Sequence, residues 1–182
     1  VGDSVHFRLS VEGIHGVATQ FKIIDNVAVD VMDDDDFWDE DDPYSSIEIG
    51  DTLTDATFTD MFGKPVNLSD SDGKFRLISY IFTRCPMPNM CPAVVVKNQY
   101  LARVFNDIPE IEFLLVSFDY IYDTPSILKI NYGSLVESNS NLKAYSSFGH
   151  INDIFTLGGQ SQVSFWGIEE NDIGHSLRSV LI

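Results

Sequence analysis

The chain has 182 residues, 44% of them hydrophobic, and 28 acidic against 11 basic side chains give a formal net charge of −17. That length holds one substantial core and a small appendage, and such a charge repels phosphate backbones, which excludes nucleic acid as a partner class and favours a basic partner or a cation. No apolar run reaches membrane-spanning length, and Val1-Gly2-Asp3-Ser4 lacks the basic start and apolar stretch of a secretory signal, so the chain is expected either to be cytosolic or to follow a targeting or anchoring segment that it does not itself contain.

The first residues alternate: Val5, Phe7, Leu9 and Val11 against His6, Arg8 and Ser10, the period of a strand. Gly13 and Gly16 flank a turn and Val17 to Val29 resumes the strand pattern, so residues 1–30 are read as a small β unit of hairpins. Residues 33–42 carry eight acids in ten. Such a run cannot sit in a core, and residues 31–48 are read as a solvated linker or loop. The run lacks the Gly and the spaced terminal Glu of a calcium-binding EF-hand loop.

From Ile49 the organisation changes. Thr57 to Asp60 and Pro65 to Leu68 read as short strands around the turn Met61-Phe62-Gly63-Lys64. Arg76 to Thr83 is a continuous apolar run, the mark of a strand buried on both faces. It leads into Arg84-Cys85-Pro86-Met87-Pro88-Asn89-Met90-Cys91-Pro92, after which Ala93 to Phe105 reads as a helix with Pro92 in its first turn. Ile111 to Phe118 is a second buried strand, Thr124-Pro125 opens a helix running to about Tyr132, residues 148–157 form a short helix, and Ser176 to Ile182 is a last strand. Strand, helix, strand, helix, strand is the pattern of an α/β domain, placed at residues 49–182.

Cys85 and Cys91 are the chain's two cysteines. Two are too few to staple a fold of this size, and a close pair points to redox or metal chemistry. Both fall where a strand ends and a helix begins, the usual place for ligands in an α/β sheet, and the helix dipole at Cys91 favours a thiolate. Placement alone separates neither chemistry from the other. Spacing argues against a thioredoxin-like oxidoreductase, which uses two intervening residues where this chain has five. The last proline is Pro125, so no late cis-proline can face the dithiol; Ile173-Gly174-His175-Ser176 stands there instead. Two sulfurs and an imidazole suit Cu(I). Met87 and Met90 lie inside the cysteine loop and are read as packing residues. His6, His15 and His150 are read as ordinary surface or core histidines.

These residues resemble the Sco/SenC family of copper-binding thioredoxin-like proteins. The resemblance runs from about Gly50 to Ile182 through four motifs in order: Asp60-Met61-Phe62-Gly63-Lys64-Pro65-Val66-Asn67-Leu68-Ser69; Tyr80-Ile81-Phe82-Thr83-Arg84-Cys85-Pro86, closed by Cys91-Pro92; Val116-Ser117-Phe118-Asp119 with Asp123-Thr124-Pro125; and Ile173-Gly174-His175-Ser176 with Val180-Leu181-Ile182. The resemblance implies a thioredoxin-like central sheet flanked by helices, here with a small N-terminal β extension. It implies copper as the bound ion and Cys85, Cys91 and His175 as its ligands. Asp119 and Asp123 match loop acids that tune the site, meet a partner or serve the fold. The implied function is a chaperone that delivers copper to the dinuclear copper site of cytochrome oxidase, so the implied partners are the copper-bearing oxidase subunit and a thiol reductant or another copper chaperone. The implied setting is extracytoplasmic, in the bacterial periplasm or the mitochondrial intermembrane space, with any membrane anchor outside this chain.

Three departures accompany the resemblance. The family has three residues between its cysteines, whereas this chain has Pro86-Met87-Pro88-Asn89-Met90. The chain stops at Ile182, in what the family makes a central strand, and the domain is therefore expected to lack its last elements. The N-terminal β unit and acidic stretch lie outside the family pattern. Two other readings stay open: a thiol-disulfide oxidoreductase using Cys85 and Cys91 as its redox pair, and a structural assembly subunit that keeps the fold. A peroxiredoxin is disfavoured because Phe82 occupies that family's threonine position. As a metallochaperone the protein turns over no substrate and is not expected to be an enzyme.

Overall fold

The computed structural model of the chain describes residues 3–12, 15–26 and 46–182, and the chain falls into two compact units, 1–42 and 43–182. In the first unit β1 (Asp3–Glu12) pairs antiparallel with β2 (His15–Asn26) in one hairpin, its register shifting at Ser4/Val5 and between His6 and Arg8. The acidic run at residues 33–42 lies outside the described residues.

The second unit is built on β3 (Thr57–Asp60), β4 (Pro65–Asn67), β5 (Phe75–Ile81), α1 (Cys91–Val104), β6 (Ile111–Ser117), α2 (Pro125–Glu137), β7 (Leu142–Ser146), α3 (Ile151–Gln160), β8 (Phe165–Trp166), β9 (Gly174–His175) and β10 (Ser179–Leu181). Six strands form one sheet in the order β10-β5-β6-β7-β3-β4. The run β5, β6, β7 is parallel, while β10 and β3 join it antiparallel on either side. The last two strands of the chain before β10 stand apart: β8 and β9 form their own two-stranded sheet.

The strong local signals produce the elements they predict. Ile78 to Ile81 are buried, as are six of the seven residues of β6, because helices cover both sheet faces. Pro92 sits in the first turn of α1, where its missing N–H costs nothing, and Thr124 caps α2 by accepting from the Ile127 amide at 3.4 Å. Asn98 of α1 donates to Ser79 Oγ of β5 at 2.9 Å, and Ser79 Oγ in turn meets Ser179 Oγ of β10 at 2.7 Å, so a buried polar chain holds helix, central strand and edge strand together.

Two expectations are corrected. The third strand of the parallel run is β7, not the terminal segment. Of its buried positions, Leu142, Ala144 and Ser146, only Leu142 is a large apolar side chain, too little to betray a strand by hydropathy. The terminal segment is split: Gly174-His175 pairs with Phe165-Trp166, and Ser179–Leu181 borders only β5 among the described residues, an edge position rather than a central one.

Candidate metal centre

Cys85 and Cys91 leave the carboxyl end of β5 together. Past Ile81 the chain bends, with the Cys85 amide bonding Phe82 O at 3.4 Å and the Met90 amide bonding Met87 O at 3.0 Å, before the Val94 amide closes the first helical turn on Met90 O at 3.0 Å. The five residues between the cysteines, two more than the family has, therefore hold a turn over Met87–Met90, and Cys91 is the first residue of α1. Cys91 is 1% exposed and Cys85 half-buried, and both thiols are free. Met87 stands 48% exposed on the turn and Met90 is half-buried ahead of the helix.

His175 comes from a different part of the fold. The β8–β9 pairing carries it opposite Phe165, and its ring lies against Phe118 (centroids 5.0 Å apart) and edge-on to Phe82 (5.4 Å). Phe118 is in turn stacked on Phe165 at 5.1 Å. These rings fix the imidazole without satisfying its nitrogens. Nδ1 lies 2.9 Å from Ser176 O, and since a carbonyl only accepts, Nδ1 carries the proton in the neutral ring. Nε2 then has its lone pair free of a proton and accepts from the Cys91 thiol, with Sγ 3.8 Å away. A second-nitrogen bond of this kind is what orients a metal-ligating histidine.

Sequence reasoning put Cys85, Cys91 and His175 forward as ligands, and the structure brings the three together: their donor atoms all lie within 4.8 Å of one another. The expected dipole-stabilised thiolate at Cys91 is not what the fold produces. Burial, reinforced by the neighbouring Cys85 thiol, pushes the Cys91 thiol up to about 12 despite a backbone hydrogen bond from Phe82. A metal entering here must displace that proton.

Asp119 and Asp123 are both fully buried, so neither meets a partner. Asp119 Oδ2 accepts from Arg84 Nε at 3.0 Å and from its terminal nitrogen at 2.7 Å, while Oδ1 accepts from the Tyr122 amide at 3.0 Å. Asp123 accepts from the Thr83 amide (2.8 Å), the Thr83 hydroxyl and the Ser117 hydroxyl (2.5 Å), fastening the cysteine loop to the end of β6. Both carboxylates are taken up by hydrogen bonds within the fold, and it is Thr124 that caps α2. His150 is remote from the centre, bonded to Thr59 Oγ1 at 3.1 Å. Sequence reasoning missed Arg84, whose only signal was its place before Cys85, and Phe165 and Trp166, which lie in a two-residue strand with no periodicity to read.

Gly174 makes the hairpin possible. A Cβ there would stand 2.3 Å from Cε2 of Trp166, whose indole covers the glycine. Gly174→Ala is expected to swing the indole away and cost about 1–3 kcal/mol, the usual range for overpacking. Denaturant unfolding measures the cost, and a red shift of tryptophan emission reports the displaced ring. Unchanged emission would show that the hairpin accommodates a side chain.

A groove of about 910 Å³ lies at the opposite, amino end of β5, between Leu53, Arg76, Gln160, Arg178 and Ile182, and contains none of the three donors. Size does not locate the chemistry here; the carboxyl ends of the parallel strands do.

Residues 48–156 match the SCO1/SenC family model, and no curated protein matches the chain. Among solved structures, the chain is similar to a SCO1/SenC family lipoprotein from Bacillus anthracis str. Ames, at TM-score 0.62 and 24% identity over 71% of this chain and 77% of that one. It is similar to Arabidopsis thaliana ScoI with copper bound, at 0.59 and 18% over 71% and 80%, and to Bradyrhizobium japonicum ScoI with copper bound, at 0.58 and 22% over 72% and 83%. At these identities the likeness shows the fold, which is the thioredoxin-like α/β arrangement expected from the sequence.

Proposed function

Because the chain belongs to the SCO1/SenC family, we propose that it binds copper on Cys85, Cys91 and His175 and delivers it, from an extracytoplasmic position, to the dinuclear copper site of cytochrome oxidase. The observation that carries the binding half of this reading is the convergence of two thiols and one unprotonated imidazole nitrogen within 4.8 Å. Soft sulfur donors select Cu(I) over the hard cations that a surface of net charge −17 otherwise attracts. The copper-bound ScoI structures support the same ion for this fold.

Delivery is ligand exchange and involves no change of oxidation state. Cys85, half-buried on the loop, is the ligand an acceptor thiolate reaches first. Each copper–sulfur bond made to the acceptor replaces one made here, and the Cys91 thiolate released last takes a proton from solvent. A disulfide between Cys85 and Cys91 removes two of three donors, so reduction by a thiol reductant must precede loading.

The test is transfer. Reduced, Cu(I)-loaded protein is mixed with the metal-free, reduced copper-bearing domain of a cytochrome oxidase, the two are separated, and copper is measured in each. Copper is expected to move to the oxidase domain from the wild type. Copper retained by the donor under excess acceptor would leave a binding protein without a delivery role.

A further inference from the structure

We infer that Arg84 is the positioning residue of the metal centre: its guanidinium ties the cysteine loop to the turn that carries His175, and so sets the spacing between thiolates and imidazole. This rests on the copper-binding reading above.

The centre has a structural problem that the backbone does not solve. Cys91 and His175 are 84 residues apart in sequence, and the backbone of β9 pairs with β8, outside the six-stranded sheet from which the cysteine loop emerges. The two halves of the site therefore belong to different sheets. The backbone rejoins the main sheet only at β10, four residues after His175, so side chains share in holding the spacing.

Arg84 is built to do this. It directly precedes Cys85, and three of its nitrogens are committed. Nε and one terminal nitrogen grip Asp119 Oδ2, and Asp119 is itself immobile, fully buried with its other oxygen on the Tyr122 amide. The guanidinium face lies 4.5 Å over the Tyr122 ring, which fixes its plane. The remaining terminal nitrogen donates to Asn171 Oδ1. Asn171 sits four residues before His175 in the left-handed conformation (φ 57°), on the turn where its amide bonds Ile168 O at 3.3 Å and the Asp172 amide bonds Gly167 O at 2.9 Å. A rigid fork of donors thus connects the residue beside one ligand to the turn supporting another, a geometry that the single ammonium of lysine cannot reproduce.

The competing role is that Arg84 merely neutralises buried Asp119. Asn171→Gly separates the two. It removes the acceptor on the turn, leaves the Arg84–Asp119 pair intact, and glycine adopts the positive φ without strain. Asn171→Asp keeps an acceptor in place and is the conservative control. Reduced proteins are titrated anaerobically with Cu(I) against a competing chelator, each variant made in the wild-type and in the His175→Ala background.

Asn171→Gly is expected to lose about 3- to 30-fold in affinity in the wild-type background, the range for a residue that acts on a site through a packed network without touching the ligand. In the His175→Ala background, with no imidazole to misplace, its loss is expected to be under about 3-fold, the non-additivity of coupled sites. Asn171→Asp is expected to stay within about 3-fold of wild type. Equal losses in both backgrounds, or none in either, overturn the positioning role. A metal-free readout keeps it distinct from the copper reading: the nuclear Overhauser contact between the His175 ring and the Cys91 β-protons is expected in wild type and weakened in Asn171→Gly. If that contact weakens while the wild type binds Cu(I) no better than Cys91→Ser, positioning stands and copper binding falls. A contact unchanged in Asn171→Gly overturns the positioning role whatever the copper affinity.

Discussion

In the reduced protein Cys91→Ser is expected to lower Cu(I) affinity by more than about 100-fold, beyond what loss of an outer partner costs. The side chain is 1% exposed and its sulfur lies 3.8 Å from His175 Nε2, so it is the donor nearest the imidazole among the three. A serine hydroxyl has nearly the same shape, but its oxygen is hard and stays protonated, and it makes a poor bond to Cu(I). The substitution should therefore leave the fold intact and empty the site of its central ligand. His175→Ala is expected to fall short of that loss, because two thiolates still bind the ion in a near-linear pair. Competition titration against a Cu(I) chelator measures both, with thermal unfolding of the metal-free proteins as the control for folding. Wild type and Cys91→Ser binding with equal affinity would show that the three donors do not form a copper site. The thiol reading would then be decided by whether Cys85 and Cys91 form a reversible disulfide couple.

Asp123→Ala is expected to destabilise the second unit by about 3 kcal/mol, seen as a fall of roughly 10 °C in Tm for a unit of this size. Truncation leaves the Thr83 amide, the Thr83 hydroxyl and the Ser117 hydroxyl without their acceptor in a buried place. Each orphaned donor costs about 1–3 kcal/mol, and relief of a buried carboxylate offsets part of the sum. That offset has a pH signature. Burial, opposed in part by the hydrogen bonds from Ser117 and Thr83, holds the Asp123 carboxyl above its ordinary range. The folded protein therefore keeps this proton to higher pH than the unfolded chain does. The stability the proton provides is full below the unfolded value of about 3.9 and is lost as pH rises through the raised folded value. The penalty of Asp123→Ala should accordingly be larger near pH 4 than near pH 7 in denaturant unfolding. A penalty that grows with pH would mean that the three donors outweigh burial and lower the carboxyl instead.

The chemistry of the site was legible because its parts announce themselves locally. An apolar run buried on both faces, a cysteine at each end of a Pro-containing turn, and Pro92 opening a helix are neighbours in the chain, and each obeys rules that act over a few residues. His175 could be paired with them because no late proline stands where a dithiol enzyme needs one. Residue type and spacing were enough for the fold class, the family resemblance and the three candidate donors.

The tertiary structure decided what depends on parts of the chain that sequence keeps apart. Strand β7 exists because β3 and β6 flank it, not because Leu142, Ala144 and Ser146 look like a strand. The ring wall of Phe82, Phe118 and Phe165 around His175, and the Arg84–Asp119–Asn171 link beside it, join segments far apart in the chain, 87 residues in the case of Arg84 and Asn171. Cys91 shows the division within one residue. Its place at a helix start argued for a thiolate, but burial under the assembled fold holds the proton on, and burial is a property of everything packed around a side chain rather than of its neighbours in sequence.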